Sequence, residues 1–94
     1  MKNTIIVNGK KLVCRIFDAE GQGYADRYTI ALKAKRRVSG LYYPYLSANA
    51  FPFDPQGIRQ HCEATWFLEG KHLGKRITFE QCPADVQKFI LQNI

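Results

Sequence analysis

The sequence has no long apolar run, no closely spaced pair of cysteines and few acids. No stretch approaches the roughly 20 apolar residues that a membrane-spanning helix needs, so no membrane partner is expected. The opening MKNTIIVNGKKLVCRIF is broken by Asn8-Gly9 and Lys10-Lys11, which leaves too short an apolar core for a secretory signal. Cys14, Cys62 and Cys82 are odd in number and widely spaced, which argues against a disulfide framework and fits a reducing cytoplasm. Structural zinc sites show close pairs such as C-x2-C; with none here, and with only His61 and His72 to add, neither metal nor other cofactor is expected.

Catalytic patterns are missing too. His61 adjoins Cys62, but neighbours on a strand point apart, and a Cys–His pair needs spatial contact. Asp18, Glu20 and Asp26 crowd one glycine-containing loop, where acids are usually solvated, and no H-E-x-x-H arrangement accompanies them. Gly21-Gln22-Gly23 lacks the third glycine and the following helix of a phosphate-cradling loop. The chain is therefore not expected to be an enzyme.

What is present is a chain of 94 residues, enough for a single domain over 1–94 with one modest core. Thr4 to Val7 and Lys11 to Phe17 flank Asn8-Gly9, a dipeptide suited to a hairpin turn; Leu12, Cys14 and Ile16 share one face. Asp18 to Asp26 reads as a loop. Arg27 to Ala34 alternates, with Tyr28, Ile30 and Leu32 on one face, and pairs with Leu41 to Ser47 as a second hairpin. Pro44 cannot donate a ladder hydrogen bond, which suggests an edge or a break there. In Asn49 to Gly57, Phe51 and Phe53 are expected to pin the loop to the core. Ile58 to Ala64 fits either a helical turn or the start of a strand; Thr65 to Leu68 reads as strand, Glu69 to Gly74 as a turn, and Lys75 to Phe79 as strand with Ile77 and Phe79 inward. Pro83 and Asp85 suit a first helical turn, and Val86, Phe89, Ile90 and Ile94 recur at helical spacing. The expected fold is α+β: an antiparallel sheet of four or five strands, two hairpins plus a later strand, with the C-terminal helix packed on one face.

Charge points to the partner. Fourteen basic residues against eight acidic ones leave a net +6, which favours acidic partners. Lys33, Lys35, Arg36 and Arg37 crowd the link between the second pair of strands, and Tyr42, Tyr43 and Tyr45 follow at once. Cations for phosphates beside rings for bases are the makings of a nucleic-acid surface. Lys71, Lys75 and Arg76 flank a second turn; if both turns lie at one end of the sheet, they form one patch. The candidate binding residues are thus Lys33, Lys35, Arg36, Arg37, Tyr42, Tyr43, Lys71, Lys75 and Arg76. The plain alternative is two solvated loops with no shared partner.

The second half, FPFDPQGIRQHCE followed by HLGKRITFEQCPADVQKFI, resembles small proteins encoded by phages and other mobile elements of bacteria, among them the anti-CRISPR inhibitors. That resemblance implies a non-enzymatic inhibitor or accessory protein in the cytoplasm of a bacterial host, docked on a protein–nucleic-acid complex such as a CRISPR effector with its guide RNA. Many anti-CRISPRs are acidic mimics of DNA, and this chain is basic, so the resemblance implies contact with guide RNA and the protein around it rather than mimicry. The other reading is a small basic regulator that binds DNA or RNA directly.

Overall fold

The computed structural model describes residues 4–7, 9–20, 26–66 and 71–93. Strands β1 (Thr4–Val7) and β2 (Lys10–Asp18) form the first hairpin, turning at Gly9, whose φ of 76° is the left-handed backbone such turns need. Asn8 and the Leu12 side chain lie outside the described residues. Strand β3 (Tyr28–Leu32) leads to β4 (Lys35–Arg37), which turns at Val38-Ser39 into β5 (Gly40–Ala48); β6 (Arg59–Ala64) and β7 (Lys75–Ile77) follow. Helix α1 (Ala84–Gln92) closes the chain.

All pairings are antiparallel. The seven segments make a sheet five ranks wide, because two ranks hold two segments each. β1 and β7 share the edge of β2 that faces away from β3, and β3 and β4 run in line beside β5. The α+β class, the antiparallel sheet and the helix on one face are as the sequence leads one to expect. Segment 59–64, which the sequence leaves open, is a strand along the outer edge of β5. Thr65 and Trp66 form a bend rather than a strand, and residues 67–70 lie outside the described ones.

Pro44 neither ends β5 nor puts it at an edge: β5 is nine residues long and paired on both sides. The lost donor is absorbed by a bulge. Ala31 faces Tyr45 and Lys35 faces Tyr42, so three residues, Leu32 to Ala34, oppose two, Tyr43 and Pro44. One residue is extra, which is how a sheet interrupts its ladder beside a proline.

The core lies between sheet and helix. Ile16, Ile30 and Leu46, from three adjacent ranks, meet Val86, Phe89 and Ile90 of α1, all buried. Each such side chain contributes about 1.5–3 kcal/mol on leaving water. The helix is approached through Thr78, whose side chain and that of Gln81 cap each other's backbone N–H groups. At its far end His61 of β6 bonds Asn93 and lies edge-on to Phe89. Phe53 packs on Phe89, with ring centres 6.5 Å apart, as expected of it. Phe51 does not: it is exposed, and Pro52 is the buried residue of that loop. The reason is local, since Asn49 Oδ1 accepts from the N–H groups of both Phe51 and Ile58 and closes the loop with Phe51 outward.

The chain changes edges after β6, and residues on both sides of that passage, Trp66 and Leu73, line one cleft on the sheet face opposite α1. Leu73 is buried there against Phe17, Ala31 and Ala64 in a second, smaller core.

Candidate nucleic-acid interface

Strand alternation divides the charges of the sheet. On the helix side stand Asp18, Lys35, Arg37, Arg59, Glu63 and Lys75; on the opposite side stand Lys11, Arg15, Arg36 and Arg76, joined by Lys33 of the bulge, which lines a notch there with Arg15 and Tyr43. No described strand residue on that second side is an acid. Tyr43 and Tyr45 of β5 share it, whereas Tyr42 points to the helix side.

Three acids, Asp18, Glu20 and Glu63, are engaged by arginines. Arg27 grips Asp18 with two bonds, Nε to Oδ1 at 2.7 Å and Nη2 to Oδ2 at 3.0 Å, and reaches Glu20 at 3.3 Å. The Arg27 bond holds the Asp18 carboxyl below the ordinary carboxylate range, and Arg27 is in turn held firmly protonated. Arg37 donates to Glu63 at 2.7 Å and lies 3.8 Å from the Tyr42 ring centre. Of the hairpin-tip cations, Arg37 is therefore engaged within the chain. Lys33, Lys35 and Arg36 are exposed and have no ion-pair partner among the described residues.

At the β7 end, Arg15 and Arg76 lie 5.8 and 5.7 Å from the Phe17 ring centre. Burial, then the charge of Arg15, lowers the pKa of Arg76. Two guanidiniums crowded over one ring raise the positive potential of this face.

Between the two ends the bulge opens a notch of about 200 Å³, lined by Val13, Arg15, Ala31, Lys33, Ala34 and Tyr43. Ala31 gives it a small floor, Tyr43 an aromatic wall, and Arg15 and Lys33 a cationic rim. A ring with cations within reach of the adjoining phosphates is what an unpaired base needs.

Of the residues singled out by the sequence, the structure gathers Lys33, Arg36, Tyr43 and Arg76 on one face. It sends Lys35, Arg37 and Tyr42 to the other side of the same hairpin, and Lys75 to the helix side of β7. The Lys71 side chain lies outside the described residues. The two basic turns lie at opposite ends of the sheet: Arg76 is level with Phe17 and Ser47, and Arg36 with Leu41, six β5 residues or about 20 Å away. They are joined by the face between them rather than by a shared end. Arg15 and Lys11, which strand alternation from Cys14 and Ile16 places on this face, complete the row. The chain matches no family model, and comparison with curated proteins and with solved structures finds no match.

Proposed function

We propose that the protein is a non-enzymatic binding protein that takes a single strand of nucleic acid along the basic sheet face opposite α1, beside the small core that Leu73 closes. One observation carries this reading: five cations share that face with Tyr43 in a notch, and no described strand residue there is an acid. Splayed bases stack on the accessible surfaces of aromatic rings while cations follow the backbone, and Tyr43 is half-buried in the notch. Lys33 and Arg36 contact phosphates, Tyr43 stacks on a base, and Arg15 and Arg76 extend the track toward β7.

A second reading places the strand within a larger partner, such as the guide RNA of a bacterial effector complex, with the protein acting as an inhibitor or accessory of that complex in the host cytoplasm. The observation favouring it is the hairpin tip: fully exposed Val38 and half-exposed Leu41, the cross-strand partner of Arg36, stand out at one end of the sheet, and apolar side chains with arginine are characteristic of protein interfaces. Among the described residues no helix is long and apolar enough to cross a membrane.

A pull-down with tagged protein from bacterial lysate, half of it treated with nuclease, separates the readings. Heterogeneous nucleic acid lost on nuclease or at high salt is the outcome expected for direct strand binding. A discrete protein partner that survives nuclease would favour the docking reading. Recovery of neither would overturn both.

A further inference from the structure

One residue pair along β5 from the notch, on the same sheet face, is a second cleft of about 280 Å³. Tyr43 walls the notch and Tyr45 the cleft; the two are about 7 Å apart along the strand. A strand that left the notch along β5 would meet this cleft next, and its lining differs in kind. Trp66, 65% exposed, stands on one side, Thr29 and Tyr45 form the base, and His72 and Leu73 close the other side.

The charged group here is Asp26. It is the one described acid in either cleft of a face otherwise bearing cations, and it is held in place: the Ser47 hydroxyl donates to its Oδ2 at 2.6 Å. Ser47 is itself buried, so the bond anchors the carboxylate to the sheet. A phosphate is repelled by this group. A ligand that fits must offer a flat π surface to Trp66 and hydrogen-bond donors to a carboxylate, whose two oxygens carry about four acceptor positions.

We infer that this cleft receives one unstacked guanine base, an inference that rests on the reading of the face as a single-strand interface. Guanine alone among the four common bases carries two adjacent donors on its pairing edge, N1–H and the 2-amino group, the spacing that a carboxylate accepts side by side. Adenine and cytosine pair a single amine with an acceptor. Uracil flanks its one N–H with two carbonyl oxygens, which a carboxylate repels. A site built to accept hydrogen bonds discriminates against a ligand that leaves them unmade.

The test uses an oligouridine strand, the same strand with one central guanosine, and that strand with inosine, which keeps N1–H but lacks the 2-amino group. Guanosine is expected to tighten binding about tenfold over uridine, within the range of a two-bond base contact; inosine should lose most of that gain. Asp26→Asn should abolish the guanosine preference, weakening the guanosine strand while oligouridine, no longer repelled by the carboxylate, binds somewhat more tightly, and Trp66→Ala should weaken the guanosine strand selectively. Equal affinity for all three strands would overturn the guanine site while leaving the interface reading standing. Failure of every strand to bind would overturn the interface and the site with it.

Discussion

At the scale of the residue, Arg27 holds Asp18 by two hydrogen bonds, one to each carboxylate oxygen. Asp18 is buried while Arg27 keeps about a third of its side chain in water, so screening limits what the pair contributes. Asp18→Asn is expected to cost about 1–2 kcal/mol at pH 7. Because the folded carboxyl titrates below its ordinary value of 3.8, its contribution is fully present above about pH 4 and is lost as the pH falls through the lower folded value. Urea midpoints of the two proteins should therefore differ at pH 7 and converge in the acid range; a gap that persists at low pH would show that the effect is not electrostatic. Gly74 and Gly9 make a second comparison. Both have φ in the left-handed region, 88° and 76°, but a Cβ at Gly74 would collide with the backbone of Asp18 and Ala19, whereas one at Gly9 meets nothing within 4 Å. Gly9→Ala should cost about 1 kcal/mol from conformation alone, and Gly74→Ala on the order of 3 kcal/mol or more, since the tie between β7 and β2 must open. Denaturant melts of the pair check this directly; equal costs would mean that the close approach at Gly74 relaxes cheaply.

At the scale of the element, the bulge between β3 and β4 is the feature on which the proposed site depends. Deleting Ala34 removes the extra residue yet leaves Lys35, Arg36 and Arg37 their partners on β5, so the sheet should still form. The notch loses a wall, and single-strand affinity should fall at least fivefold, the low end of what one stacked base contributes. A deletion variant that melts as the wild type does and binds as well would show that the bulge plays no part in the site. Helix α1 was legible because Val86, Phe89 and Ile90 repeat at helical spacing, and the first hairpin because Asn8-Gly9 marks a turn between an apolar run and a segment with Leu12, Cys14 and Ile16 on one face. The bulge was not, since nothing local marks Lys33-Ala34 as one residue too many; the signal lay across the sheet, in Pro44. Nor could alternation alone decide 59–64: its exposed face, Arg59, His61 and Glu63, is polar, and its partner β5 supplies the strand geometry that its own composition does not. The basic residues were legible as a list, but their division between two faces rests on register.

At the scale of the molecule, the fold sorts its charges. The helix side carries the main apolar core, the arginine-paired acids Asp18 and Glu63 and four cations, and the other side carries five cations around an aromatic notch, with Asp26 in the neighbouring cleft as its described acid. That partition gives Arg36 and Arg37, adjacent in sequence, different roles. Arg37→Glu breaks the contact with Glu63 on the helix side and should change single-strand affinity no more than about threefold at physiological salt, where charges beyond about 8 Å are screened. Lys33→Glu with Arg36→Glu strikes the open face itself. The most direct test is fluorescence anisotropy of a short labelled single strand, titrated with wild-type protein and with the double variant over a range of salt. Log affinity of the wild type should fall linearly with log salt, and the double variant should both bind much more weakly and lose about 1.4 from that slope, two phosphate contacts on a single strand, with its melting curve unchanged. Wild-type affinity that ignores salt, or a double variant that binds as the wild type does, would contradict the proposed interface.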